Sequence, residues 1–108
     1  MKTITREQTR KLIDSREELT VVEVLKPEAF RKFHLPGAKN VPFDESFDTN
    51  IQQVAPDKQK PVLVYCQSED CDASPKAARR MEEMGYANVY DYEAGKADWK
   101  DAGLPVES

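Results

Sequence analysis

The chain is poor in the residues that staple, link or anchor a protein. It has two cysteines in 108 residues, too few for a disulfide-bonded secreted scaffold, so its thiols need another explanation. It has a single histidine, His34, and any cysteine–histidine base mechanism must use that residue. No run approaches the ~18–20 apolar residues of a membrane span. The start, Met1-Lys2-Thr3-Ile4-Thr5-Arg6, carries a basic residue without the apolar stretch of a secretory signal, so a cytoplasmic location is expected. No Gly/Ser linker, low-complexity tract or internal repeat divides the sequence, and its length suits one domain, residues 1–108. Positive charge is in deficit: 16 Lys+Arg face 20 Asp+Glu, a formal net charge of -4. That balance argues against a nucleic-acid groove or an anionic membrane as the main partner.

What is present suffices for a modest core, with 39% hydrophobic and 33% charged residues. Strand-like and helix-like segments alternate, which predicts an α/β domain with a mostly parallel sheet. Thr5 and Gln8 form a capping-box pattern ahead of a helix over 6–15, with Leu12 and Ile13 facing inward. Thr20 to Leu25 reads as a buried strand. Pro27 suits the start of a short helix ending near Phe33, and Leu35-Pro36-Gly37 is a turn signal. A brief extended piece at Val41 ends at Pro42. Phe47, Ile51 and Val54 share one helix face, and Pro56 ends that pattern. Pro61 to Tyr65 is the strongest strand signal. Ser74-Pro75 reads as an N-cap followed by a first-turn proline, opening a helix that turns Ala77, Ala78, Met81 and Met84 inward and stops at Gly85. Asn88 to Tyr90 reads as a strand. A last helix over 96–102 carries Trp99 as a core aromatic. The charge-rich stretches 6–18 and 81–83 read as solvated helix faces.

The chemistry concentrates in PVLVYCQSEDCDASPKAARR, Pro61 to Arg80. A buried strand ends, Cys66 follows at once, and a short polar loop leads into a helix. Ligands of parallel α/β sheets sit outside the carboxyl ends of the strands. If the loop curls over Cys66, its amides can converge on the sulfur and the helix N-terminus can add its dipole, both favouring a thiolate. The loop side chains Glu69, Asp70 and Asp72 oppose this. No Lys or Arg lies between Cys66 and Ser74; Lys76, Arg79 and Arg80 are the nearest cations. The plainer alternative is that Cys66 is a small buried hydrophobe at a strand end.

Cys71 follows in a C-x4-C spacing. The two sulfurs can meet if the loop folds back, and such a pair can form a disulfide or resolve a sulfur adduct; the alternative is an incidental loop thiol. A metal site with His34 as third ligand falls short of the four ligands of structural zinc. His34, just before a turn, more simply hydrogen-bonds backbone.

These pieces together resemble a single-domain rhodanese-like sulfurtransferase. The matching segments are Val21 to Phe43, Pro61 to Cys66, Ser74 to Trp99 and Ala102 to Glu107. HLPGAKNVP, from His34 to Pro42, is similar to the family's H-[IL]-P-G-A-x-N-[IV]-P signature, and Trp99 to Val106 closes with W-x3-G-L-P-V. The resemblance implies a central, mostly parallel five-stranded sheet flanked by helices. It also implies that Cys66 attacks the outer sulfur of a donor and becomes a persulfide, cradled by the loop residues Gln67, Ser68, Glu69, Asp70, Asp72, Ala73 and Ser74. A thiol acceptor then takes the sulfur, with no metal or organic cofactor.

The sequence departs from the family pattern in four places. Glu23-Val24-Leu25 stands where Asp-Val-Arg is common, which puts a structural charge pair in question. Ala94-Gly95 replaces Gly-Gly. Gln67 replaces an Arg common in thiosulfate users. The loop from Cys66 to Ser74 is about two residues longer than usual and acidic, and each like charge costs a dianion about 1 kcal/mol. A neutral or protein-bound persulfide donor therefore fits better than thiosulfate. In this frame Cys71 is expected to attack the Cys66 persulfide, leaving a disulfide that a thioredoxin-type reductant reopens. The alternatives are a thiol redox switch built on Cys66 and Cys71, and a catalytically silent binding module. A phosphatase or arsenate reductase is disfavoured, because Tyr65 precedes the cysteine and no Arg follows at the H-C-x5-R spacing.

Overall fold

Apolar residues alternate along the strands so that each strand feeds two cores, one on either face of the sheet. In the computed structural model, which describes residues 1–15 and 18–108, β4 (Val62–Tyr65) lies at the centre of a five-stranded sheet. Its neighbours are β2 (Thr20–Glu23) and β5 (Val89–Tyr92). The edges are β1 (Lys2–Thr3), beside β5, and β3 (Lys39–Asn40), beside β2, giving the order β1-β5-β4-β2-β3. Among the described residues every pairing between these five strands is parallel, where a mostly parallel sheet was expected. β1 carries no sequence signal because two exposed residues show no burial pattern.

Val62, Val64 and Cys66 point to one face. There they meet Phe47 and Ile51 of α3 (Phe47–Val54) and Ala77, Ala78 and Met81 of α4 (Ala73–Glu83). Leu63 and Tyr65 point to the other face, among Ile4, Leu35, Tyr92 and Trp99. Leu12 and Ile13 of α1 (Arg6–Ser15) and Phe30 of α2 (Pro27–Lys32) pack on that second core, and Trp99 belongs to α5 (Gly95–Asp101). Burying a large apolar side chain contributes roughly 1.5–3 kcal/mol, so both faces hold the sheet rigidly beneath the loops at its carboxyl edge. Among the described residues no helix is long and apolar enough to cross a membrane.

The capping box forms: the Thr5 amide donates to Gln8 Oε1 at 2.9 Å and the Gln8 amide to Thr5 Oγ1 at 3.2 Å. The expected cap at Ser74 does not form. Asp72 occupies the N-cap position and Ala73 opens α4, because the Ser74 hydroxyl turns inward to the Cys66 sulfur at 3.5 Å and is fully buried. β2 stops at Glu23, two residues before the expected Leu25. β5 runs on to Tyr92, past the expected Tyr90. Part of the expected charged face over 6–18, Arg16 and Glu17, lies outside the described residues. In the stretch 81–83, Glu82 and Glu83 are exposed, while Met81 is in the core.

Candidate active site

Cys66 emerges from the carboxyl end of the central strand and is completely buried. The N-terminus of α5 holds it from below. The Lys96 amide donates to the Cys66 carbonyl and the Ala97 amide to the Gln67 carbonyl, each at 2.9 Å. This close approach requires Gly95, whose φ is +78°. A Cβ there would sit 2.6 Å from Cys66 O, Gln67 C and Gln67 O.

The loop does curl over the sulfur, but carbonyls as well as amides reach it. The Cys71 amide bonds back to the Ser68 carbonyl at 3.0 Å. In the resulting turn the Cys71 carbonyl lies 3.5 Å and the Ser68 carbonyl 3.9 Å from Cys66 Sγ, with the Ser74 hydroxyl also at 3.5 Å. Carbonyls accept from a thiol and repel a thiolate. Burial, followed by the neighbouring Cys71 thiol, pushes the Cys66 pKa up to about 11; the Ser74 hydroxyl and amide pull the other way and are outweighed. The expectation of an amide cradle that keeps the sulfur ionised is therefore corrected: the resting group is a thiol.

The opposition also differs from expectation. Glu69 and Asp70 are exposed. Asp72 is exposed and pairs with Lys76 at 2.8 Å. None of the three is among the groups that act on the Cys66 thiol, which desolvation dominates. Gln67 is exposed, Ser68 and Ala73 are half-buried, and Cys71 is half-buried against the core beside Cys66. The loop thus brings together Cys66, Cys71, Ser68 and Ser74, and leaves Gln67, Glu69, Asp70 and Asp72 at the surface.

His34 stands apart from both thiols. Its Nδ1 lies 2.9 Å from the Phe30 carbonyl, its ring stacks on Phe30 at 3.8 Å, and its backbone bridges to Glu107. It fixes the turn before Leu35. Among the described residues no three His, Cys, Asp or Glu side chains converge on a metal position. A cleft of about 530 Å³ lies on the face of the second core, bordered by Ile13, Leu19, Pro36 and Trp99, and does not reach Cys66; position on the sheet marks the chemistry better than cavity size does.

Two features were missed. Glu23, where a charge pair was in question, is fully buried and pairs with Lys96 at 3.1 Å. The Tyr65 hydroxyl donates to Glu23 Oε1 at 2.9 Å. Burial nevertheless keeps the Glu23 carboxyl above its ordinary range. The second feature is Asp91 on β5, only 1% exposed, with no hydrogen-bond partner on either carboxylate oxygen. Burial pushes its pKa up, and the Ser74 hydroxyl is close enough to act on it in the opposite sense. An acid inside the apolar run Val89-Tyr90-Asp91-Tyr92 was the available signal.

A family model described as the rhodanese-like domain matches residues 5–102. The chain is 33% identical over 90 residues to the HTH-type transcriptional regulator Rv0324 of Mycobacterium tuberculosis, covering 83% of this chain and 38% of that one. It is 31% identical over 106 residues to the protein YibN of Escherichia coli, covering 98% and 72%. In structure it is similar to the thiosulfate sulfurtransferase of Pseudomonas aeruginosa, with a TM-score of 0.84 and 26% identity over 98% of this chain and 20% of that one. The chain thus spans well under half the length of two of these three proteins.

Proposed function

Because the chain belongs to the rhodanese-like domain family, we propose that it is a sulfurtransferase carrying a sulfane sulfur on Cys66. The observation that supports this reading best is the placement of Cys66, at the carboxyl end of the central strand under a loop that ends on the Ser74 amide and hydroxyl. The Cys66 thiolate attacks the outer sulfur of a donor persulfide. A new S–S bond forms, the donor's S–S bond breaks, and the donor leaves as a thiol. An acceptor thiolate then takes the outer sulfur and releases Cys66.

Glu69 and Asp70, exposed beside the loop, make a neutral or protein-bound persulfide a better donor than dianionic thiosulfate. Cys71, beside Cys66, resolves the persulfide when no other acceptor arrives. Its thiolate attacks the Cys66 sulfur, expels hydrosulfide and leaves a disulfide, which a thioredoxin-type dithiol reduces. Acceptor and reductant chemistry of this kind belongs to a reducing compartment such as the cytoplasm. The same juxtaposition favours a second reading, a redox switch in which the disulfide itself is the output.

Intact mass of the unaltered chain and of Cys71→Ser, which cannot expel the added sulfur, after incubation with glutathione persulfide separates the readings. A one-sulfur gain in Cys71→Ser, abolished when Cys66 is also replaced by Ser, is expected, with the unaltered chain going on to lose two hydrogens. Loss of two hydrogens in the unaltered chain without a gain in Cys71→Ser would replace the transferase with the switch, and no change in either would leave a binding module.

A further inference from the structure

Asp91 is a buried acid that neither the packing nor the sulfur chemistry above accounts for. It sits opposite Val64 in the β4–β5 register, and Cys66 lies two residues beyond Val64 on the same face of the sheet. α4 covers that face and sets Ser74, fully buried, against the sulfur at 3.5 Å. One hydroxyl therefore lies within reach of a thiol and close enough to influence a buried acid that has no hydrogen-bond partner of its own.

We propose that Asp91 exchanges a proton with Cys66 through the Ser74 hydroxyl. The inference rests on Cys66 being the nucleophile. Asp91 does not touch the reacting sulfur; it acts through Ser74 and positions the proton. In the forward direction the Cys66 S–H bond breaks and its electron pair stays on sulfur. That proton joins Ser74 Oγ, and the Ser74 hydroxyl proton forms the new O–H bond on Asp91. When the acceptor removes the outer sulfur and Cys66 departs as thiolate, the proton returns by the reverse route. Nothing is oxidised or reduced.

The electrostatic reason is charge conservation inside the fold. Sending the thiol proton to solvent while Asp91 is ionised places two negative charges in one buried site. Passing it to Asp91 moves one charge and creates none. Arg79 on α4 and Glu93 just beyond β5 are the other charged groups that act on Asp91, with opposite signs. Neither Asp91 oxygen makes a hydrogen bond to Ser74 in this structure, so the relay closes by a small side-chain movement, as contacts to catalytic groups commonly tighten on substrate binding.

The test is the rate at which iodoacetamide alkylates Cys66 at neutral pH, in a Cys71→Ser parent with a single reactive thiol. Asp91→Asn keeps the shape and deletes the base, and Ser74→Ala deletes the bridge. A bystander carboxylate and a relay give opposite signs. Removing a bystander's negative charge eases ionisation of Cys66 and speeds alkylation, whereas removing a relay slows it, here by about tenfold or more. The double variant is expected to be no slower than the slower single one. Unchanged or faster alkylation in Asp91→Asn overturns the proposal, as does a parent thiol that is inert at neutral pH. If Asp91→Asn does not fold, Asp91→Ala, which also deletes the base, decides with the same two outcomes. Sulfur uptake from glutathione persulfide is measured in parallel on the same Cys71→Ser parent, where no second thiol expels the sulfur as hydrosulfide. Slowed alkylation without uptake keeps the relay and discards the transferase; uptake with unslowed alkylation does the reverse.

Discussion

Replacing Lys96 with Met should destabilise the fold by about 3–5 kcal/mol, the range for stranding one partner of a buried ion pair. Lys96 and Glu23 are 1% and 0% exposed. The Lys96 Nζ donates to Glu23 Oε2 at 3.1 Å and to the carbonyls of Ala29 and Phe33 at 2.7 Å each. The thioether of Met fills the space but donates nothing, so two carbonyls lose a donor and Glu23 keeps the Tyr65 hydroxyl. Against a total stability of roughly 5–15 kcal/mol, such a loss is readily measured. It also carries a pH signature. Burial already raises the Glu23 pKa above its value in the unfolded chain despite Lys96. Such a group adds stability below the unfolded pKa and loses it as pH rises through the folded pKa. Without the ammonium the folded pKa rises further, so Lys96→Met loses more stability than the parent between acid and neutral pH. Urea denaturation followed by circular dichroism at pH 5 and 7 measures this. The deficit of Lys96→Met relative to the parent should be smaller at pH 5, and Glu23→Gln combined with Lys96→Met should be more stable than Lys96→Met alone at pH 7. A single variant within 1 kcal/mol of the parent, or a double variant no better than the single, would refute the account.

Gly95→Ala should cost about 1–2 kcal/mol from the left-handed backbone alone, and more because the new Cβ meets backbone atoms at 2.6 Å; an unchanged melting temperature would contradict the geometry. The high pKa of Cys66, about 11, lies above that of an unfolded thiol, so its contribution to stability is present below about pH 8.5 and lost as pH rises toward 11. Denaturation of Cys66→Ser should show a shallower alkaline loss than the parent, by up to roughly 3 kcal/mol, and parallel profiles would show that the thiol is not suppressed by the fold.

The sheet and most of its helices were legible because their signals are local. Thr5 and Gln8 close a capping box with each other, and Val62 to Tyr65 is short, apolar and buried on both faces. Cys66 was legible from its place at the end of that strand. The orientation of the loop was not: whether peptide units turn N–H or C=O toward the sulfur depends on the turn closed between Ser68 and Cys71, which no side-chain pattern encodes. The partnership of Glu23 with Lys96 spans 73 residues and becomes readable only once β2 and α5 are packed. Ser74 looked like a cap because Ser before Pro usually is one; the buried sulfur is a competing partner that local preference does not include.

A thiol held near pKa 11 carries about 5 kcal/mol against ionisation at neutral pH, enough to suppress a nucleophile by several orders of magnitude. The closed loop also keeps Cys66 out of contact with solvent. Activation then has to act on the groups that create the penalty. Opening the loop returns water to the sulfur and removes the Ser68 and Cys71 carbonyls, which weakens the largest cause, desolvation. Handing the proton to Asp91 leaves the buried charge constant and avoids that penalty without exposing the sulfur. The two routes differ in where the cost falls. The first makes sulfur transfer, as proposed, depend on the residues that hold the loop shut, Ser68 and Cys71; the second makes it depend on Ser74 of α4 and Asp91 of β5, which need not move far. On the proposed function, a protein-bound donor would act by the first route, displacing the loop, and a small persulfide by the second.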